Sequence, residues 1–414
     1  MLDIQFIRDN HQKVKQAAAD KNISVDIDEL LTLDEKRREL MQQVEKLRKA
    51  RNETAAQMKN GVPSPELIAE GRRIKEVLAE LEAQLNPAIL QYKELMNDVP
   101  NIFSDDTPIG GEEANQSVFK WGEAQKRSVK DHLAWLEERG LVDFERGAKV
   151  AGSKFYYSKG NLALLEFALT QFALNKGVEH GFTPMLVPNM VNSEVLSGTG
   201  YSPRGEEKQI YSIENEDLNL IATAEIPLTA YHKDEILDIE KLPLLYVGWS
   251  PCYRMEAGAY GKHSKGIFRV HQFYKVELYV FCEPEQSEQW HEKLMQIEEE
   301  ILQELEIPYQ KLAIAAGDLG APAYKKFDLE YFSPIDGEYR EITSCSNVTD
   351  YQSRRLNVRY RNKDGDIKFV NTLNGTAMVS SRGPIAVIEN HQNENGDVII
   401  PEALRPYMNN REVI

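Results

Sequence analysis

Cysteine is scarce in this 414-residue chain: Cys252, Cys282 and Cys345 are the only three, and they lie far apart. They form no Cys-x-x-Cys pair, which excludes a disulfide framework and the cysteine-rich zinc sites, so no zinc is expected. The eight histidines contain no His-Glu-x-x-His spacing. Long apolar runs are missing too; none approaches the roughly 20 residues that cross a bilayer, so no membrane partner is expected. The first residues carry Asp3, Arg8 and Asp9 and have no apolar stretch, which predicts no signal peptide and a cytoplasmic location. Neither a G-x-x-x-x-G-K-S/T loop nor a G-x-G-x-x-G after a strand is present, so the two common nucleotide cradles are excluded. Net charge is −17, which works against a nucleic-acid partner unless basic residues are gathered locally.

Glycine and aromatics nearly vanish between residues 29 and 99, where Glu, Lys, Arg, Leu and Ala dominate. Leu30, Leu33, Leu40, Val44 and Leu47 recur at helical spacing, and so do Leu67, Gly71, Ile74, Leu78, Leu81, Leu85, Ala88, Tyr92 and Leu95. One apolar seam on each of two long helices follows. Between them "KNGVPSPE" holds Asn60-Gly61 to end the first helix, Ser64 to cap the second and Pro65 for its first turn. The pattern predicts an antiparallel helical hairpin with arms of roughly 30 residues, about 45 Å long, kinked at Pro87. Its first helix carries "KLRKAR", in which Lys46, Arg48, Lys49 and Arg51 are basic. A solvated coiled-coil face and a phosphate-contacting stripe both explain that run.

Residues 1–28 read as a short helical base and residues 98–111 as a linker. Beyond residue 120, helices are predicted over 131–139, 162–176, 286–305 and 385–391. Strands are predicted in "FTPMLVP", "LNLIATA", "LPLLYVGWS", "IFRVHQF", "VELYVFC" and residues 323–329. Strand–helix–strand alternation is rare, which favours an α+β body: a large antiparallel sheet with helices packed on it.

The stretch "YRMEAGAYGKHSKGIFRVHQFYKVE" places Arg254, Glu256, Arg269 and Glu277 in what reads as a buried hairpin. Alternation puts Arg254 and Glu256 on one face. Such charges are costly to bury without partners. A salt-bridge ladder is one explanation. A polyanionic ligand across the sheet, with arginine on phosphate, is the other. Three further polar clusters follow: Thr223 and Glu225; Glu341, Ser344, Ser346 and Asn347; and Asn374, Thr376 and Arg382. Together they suit a nucleotide, a metal and an amino group.

Along essentially its whole length the chain resembles the seryl-tRNA synthetase family, within the class II aminoacyl-tRNA synthetases. The resemblance is carried by "TAEIPL", "YRMEAGAYG", "FRVHQFYKVE", "REITSCSN" and "TLNG" followed by Arg382. It implies a class II antiparallel sheet of six or seven strands flanked by helices. It also implies a tRNA-binding domain over residues 1–105, with its arm over 29–99, and a catalytic domain over 106–414. The implied reaction is ATP-dependent activation of L-serine to seryl-adenylate, then transfer to tRNA(Ser), and also to selenocysteine tRNA. The implied partners are ATP, Mg²⁺, serine, tRNA and a second copy of the chain, with residues 180–191 helping to form the dimer interface.

The resemblance also implies residue roles. Arg254 would bridge the α-phosphate and the serine carboxylate. Glu256 would bind near adenine, Phe273 and Arg382 would flank its ring, and Val270 would line the ATP site. Glu341 and Ser344 would hold Mg²⁺ on the phosphates. Arg254, Glu341 and Arg382 form the implied catalytic set. Thr223, Glu225, Arg254, Glu277, Asn374 and Thr376 would read serine. The loop 257–266 would close over ATP. Lys46, Arg48, Lys49 and Arg51 would contact the long variable arm of the tRNA by shape and backbone. Ser381, Pro384, Lys262, Lys265 and Thr376 depart from the residues usual in the family. Ser380 or Ser381 is expected to cap the last helix, with Pro384 in its first turn. An amino-acid ligase for a carrier protein would lack or reshape the arm. A non-catalytic RNA-binding paralogue would lack Arg254, Glu341 or Arg382. The arm and all three residues are present.

Overall fold

Ser64 and Pro65 open a 34-residue helix, Pro65–Asp98. The serine hydroxyl accepts from the Leu67 amide at 3.2 Å, and the proline sits where its missing N–H has no partner to lose. The computed structural model describes every residue except 60, 61, 63, 202–209 and 257–264. The expected helix stop at Asn60-Gly61, the loop 257–264 and Lys262 therefore lie outside the described residues. The chain forms two compact units, Met1–Ile102 and Phe103–Ile414.

In the first unit two short helices, Ile4–Asp9 and His11–Asp20, precede the long pair Ile27–Met58 and Pro65–Asp98. The long helices run antiparallel. Arg37 lies over the Tyr92 ring at 4.2 Å, Arg48 pairs with Glu82 at 2.7 Å, and Met58 packs against Gly71. Numbers rise on one helix as they fall on the other. Leu40, Val44, Leu78, Leu85 and Ala88 form the buried seam, as the spacing predicts. The second helix continues through Pro87, which forfeits one backbone hydrogen bond without ending it. A buried carboxylate, Asp34, is held between Arg8 and Arg37.

The second unit is built on an eight-stranded sheet. Its strands are β1 (Gln116–Trp121), β2 (Thr183–Leu186), β3 (Leu244–Tyr253), β4 (Gln272–Cys282), β5 (Tyr309–Ala313), β6 (Lys325–Phe332), β7 (Tyr339–Thr349) and β8 (Asn371–Val379). Their spatial order is β1-β5-β6-β7-β8-β4-β3-β2. Every pair is antiparallel except β2 with β3, which is parallel and adds an edge to the expected six or seven strands. A parallel pair needs a long crossover, and here more than fifty residues separate its two strands.

Period-2 alternation along β4 separates core from site. Val276, Leu278 and Val280 enter the main hydrophobic cluster. That cluster also takes Leu165 and Leu169 of helix Asn161–Glu179, Leu294 and Ile301 of helix Ser287–Glu304, and Ile385 of helix Arg382–Asn390. The intervening Phe273, Lys275 and Glu277 line a cavity on the opposite face.

Three expectations need correction. "IFRVHQF" is not a strand before Gln272: Lys265 to Phe268 makes a turn, and Val270 packs in a small cluster with Cys252, Phe273 and Val379. Arg254 and Glu256 therefore lie past the end of β3, not on an alternating ladder. Glu256 has φ +46°, uncommon for a residue other than glycine. "LNLIATA" gives only the two-residue strand Asn219–Leu220 before the chain turns into helix Glu225–Ala230. Neither serine caps the last helix. Ser381 makes no side-chain cap bond, and the Ser380 hydroxyl accepts from the Tyr274 amide on β4 at 2.9 Å.

Candidate active site

Two β-bulges shape the site. On β7, Thr343 pairs with Leu329 and Glu341 with Glu330, so Ile342 is an extra residue. The insertion reverses alternation, and Glu341 and Ser344, three apart in sequence, both line the cavity. On β8, Thr376 pairs with Glu277 and Met378 with Val276, which leaves Ala377 extra and puts Thr376 and Val379 on the cavity side together. Simple period-2 reading assigns each pair to opposite faces.

The cavity has a volume of about 420 Å³. Glu225, Arg254, Glu256, Val270, Phe273, Glu277, Glu341, Ser344, Asn374, Thr376 and Arg382 all line it, although they come from distant parts of the sequence. Thr223 is the exception: it is fully buried beneath the lining, and its hydroxyl accepts from the Glu225 amide at 3.2 Å, shaping the start of helix Glu225–Ala230. Tyr201, Lys275 and Lys326 also line the cavity and were not anticipated. Lys275 was legible, since it alternates with Phe273 and Glu277. Tyr201 and Lys326 carry no such local signal.

At the mouth, Arg382 pairs with the Glu341 carboxylate at 2.8 Å and lies over the Phe268 ring at 4.9 Å. The surrounding protein would raise the Glu341 carboxyl, but Arg382 and Lys326 outweigh it and hold the group down to about 2. Arg254 lies over the Phe273 ring at 5.1 Å. Arg269 pairs with Glu256 at 3.3 Å. Lys326 pairs with the buried Asp328 at 3.2 Å; burial nonetheless pushes the Asp328 carboxyl upward.

Deeper in, two carboxylates share one lysine. Lys275 pairs with Glu277 at 2.6 Å, and both are buried. Thr376 donates to Glu277 at 3.4 Å. Glu225 receives neutral donors: Gln352 at 2.7 Å, Tyr201 at 2.8 Å and Asn374 at 3.1 Å. Burial, then the neighbouring Glu277, push the Glu225 carboxyl up. The inner cavity thus sets two carboxylates against one lysine, whereas the mouth sets Arg254, Arg269, Lys326 and Arg382 against Glu256, Asp328 and Glu341. That polarity suits a ligand with an ammonium group at one end and phosphates at the other.

Glu341 and Ser344 offer hard oxygen donors to the cavity. Among the described residues, no cluster of three or more His, Cys, Asp or Glu forms a metal cage. Such a sparse donor set fits a magnesium ion that arrives on phosphates.

Comparisons with known proteins agree with this geometry. Residues 1–103 match the seryl-tRNA synthetase N-terminal domain, and residues 209–391 match the tRNA synthetase class II core domain (G, H, P, S and T). A serine–tRNA ligase of Dictyoglomus turgidum is 45% identical over 100% of this chain and 99% of its own. One from Treponema denticola is 46% identical over 98% of each. The structure of seryl-tRNA synthetase from Pyrococcus horikoshii complexed with ATP superimposes with a TM-score of 0.91, at 41% identity, covering 100% of this chain and 99% of that one. With the arm, the class II sheet and a cavity of this polarity in place, the chain belongs to the seryl-tRNA synthetase family.

Proposed function

We propose a residue-level account of how this serine–tRNA ligase activates its amino acid. The chain joins serine to the AMP part of ATP, releasing pyrophosphate, and then charges tRNA. One observation carries the account: a single cavity gathers Arg254, Glu341 and Arg382 near its mouth and Glu225 and Glu277 inside. In the first step a serine carboxylate oxygen attacks the α-phosphorus, the bond to the bridging oxygen breaks, and pyrophosphate leaves. In the second, a terminal ribose hydroxyl of tRNA attacks the acyl carbon and AMP leaves. The attacking carboxylate is already ionised, so the protein positions anions and supplies no nucleophile.

In this reading Arg254 holds the serine carboxylate against the α-phosphate. Phe273 and Arg382 flank adenine, which takes the place of the cation–π contacts now made by Arg254 with Phe273 and by Arg382 with Phe268. Glu256 and Val270 complete the adenine side. Glu225 receives the ammonium group, beside Glu277; Asn374 and Thr376 line the hydroxyl end. Thr223 acts from beneath by shaping the turn before Glu225. Glu341 and Ser344 would hold Mg²⁺, which neutralises phosphate charge.

The first unit serves as the tRNA-binding domain. Lys46, Lys49 and Arg51 are exposed on the arm, which supports their contact with tRNA; Arg48 is exposed too but tied to Glu82. Extension to selenocysteine tRNA rests on the resemblance alone. The active form is a homodimer. Exposed apolar side chains support this: Leu164, Phe167 and Val178 at helical spacing on helix Asn161–Glu179, and Leu186 on edge strand β2. No described helix is long and apolar enough to cross a membrane. Three free, buried cysteines support a cytoplasmic location.

The test is transfer of labelled serine to total tRNA with ATP and Mg²⁺, read as acid-precipitable counts. We expect incorporation by the full chain. A truncation beginning at Phe103 should keep serine-dependent pyrophosphate exchange and lose incorporation. Full incorporation by the truncated chain would remove the first unit from tRNA binding.

A further inference from the structure

Gln352 does not line the cavity. It lies fully buried on helix Tyr351–Leu356, yet its amide reaches the inner carboxylate. Its Nε2 donates to Glu225 Oε1 at 2.7 Å and to the Thr199 carbonyl at 3.2 Å. Its Oε1 accepts from the Tyr279 hydroxyl at 3.0 Å and from the Thr372 hydroxyl at 2.9 Å. A main-chain carbonyl only accepts, so Thr199 fixes which end of the amide is nitrogen. The N–H directed at Glu225 is therefore imposed by the backbone.

The acceptor sites of Glu225 can now be accounted for. An ionised carboxylate has about four, two on each oxygen. Gln352 and Asn374 occupy both on Oε1, and Tyr201 occupies one on Oε2. Among the described residues one site is left, on a residue that lines the cavity. All three donors are neutral. The charged neighbours on the facing strands are Glu277, which adds negative charge, and Lys275, which is already paired to Glu277. The carboxylate is hydrogen-bonded but not charge-balanced.

We propose that Gln352 is a positioning residue for amino-acid recognition: by filling one oxygen of Glu225 together with Asn374, it leaves the other oxygen with the single open acceptor site for the α-ammonium group of the substrate. The proposal rests on the reading that Glu225 receives that ammonium group. Without the amide, the carboxylate keeps only Asn374 on Oε1 and Tyr201 on Oε2, a second site opens on Oε1, and the acceptor offered to the cavity no longer has one direction. A hydrogen bond to a charged group of this kind is worth about ten-fold or more in binding.

The experiment is a double-mutant cycle with Gln352→Met and Glu225→Gln. The readouts are the Kd of a non-hydrolysable seryl-adenylate analogue, and the Kd of ATP as reference. Gln352→Met should weaken the analogue by about ten-fold or more and change ATP by less than about two-fold. In the Glu225→Gln background the same substitution should cost far less, because the residue through which it acts has lost its charge. An equal loss in both backgrounds, an equal loss for ATP, or no loss at all overturns the proposal. If Glu225→Gln alone leaves the analogue's Kd unchanged, the ammonium reading falls first, which separates the two failures. Should Gln352→Met fail to fold, Gln352→Glu goes through the same cycle. It keeps the shape and the acceptor for Tyr279 and Thr372, and sets a carboxyl against Glu225.

Discussion

Arg382 grips Glu341 twice: its guanidinium donates to the carboxylate at 2.8 Å and to the same residue's backbone carbonyl at 3.2 Å. One arginine at the start of the last helix thus ties that helix to strand β7 and holds a carboxylate ionised at the cavity mouth. Ser381, the departure just before it, is buried and lines the cavity, without capping the helix.

Replacing Arg382 by methionine should remove a fixed positive charge from the phosphate side. Serine-dependent pyrophosphate exchange is expected to fall by about 100-fold or more, the scale found when one preorganised charge stabiliser is deleted. The melting temperature should fall by only a few degrees, because methionine keeps the buried stem of Arg382 while its two contacts to the half-exposed Glu341 are lost. Exchange within a few-fold of the parent would remove Arg382 from the chemistry.

On the arm, changing Lys46, Lys49 and Arg51 together to glutamate should raise the KM for tRNA by about ten-fold or more, an effect that shrinks as salt rises. Pyrophosphate exchange should not move. Arg48→Ala should act differently, loosening the tie to Glu82 across the hairpin. If the triple variant charges tRNA normally at low salt, the basic stripe is only a solvated face.

Phe167 is 69% exposed on helix Asn161–Glu179. Phe167→Glu should weaken self-association by about 30-fold, as loss of a buried aromatic anchor does. Sedimentation velocity across a dilution series measures it. A dimer of unchanged strength would place the interface elsewhere.

Glu298 lies fully buried in helix Ser287–Glu304, against Gly375 of β8. No cation is paired with it among the described residues, and burial pushes the group well above the carboxylate range, outweighing the nearby Thr343 hydroxyl. A carboxyl raised on folding is tolerated below its unfolded pKa, and stability is lost as pH rises toward the folded value. Glu298→Gln should therefore melt higher than the parent by about 2–4 °C near pH 8. The gain should narrow as pH falls below about 4, where the carboxyl is protonated in both states. The same gain at both values would show that charge is not the cause.

The arm was legible because helical order is local. Three- and four-residue spacing, Ser64, Pro65 and the lack of glycine each act within a turn or two, so they specify the helices and their facing seams. The catalytic strands were legible in part for the same reason: alternation along β4 is a property of one strand. Arg254, Glu341 and Arg382 could be picked out because charge in apolar surroundings is conspicuous in any sequence. Tertiary structure decided the rest. The extra residues Ile342 and Ala377 turn Ser344 and Val379 toward the cavity, and a bulge exists only when a neighbouring strand sets the register. Thr223 went beneath the site because the chain turns into a helix at Glu225. Gln352 entered it from more than a hundred residues away, along a hydrogen-bond network that no local pattern records. Spacing along the chain settles which side chains share a helix or strand face. Only packing between elements settles which of those faces meet.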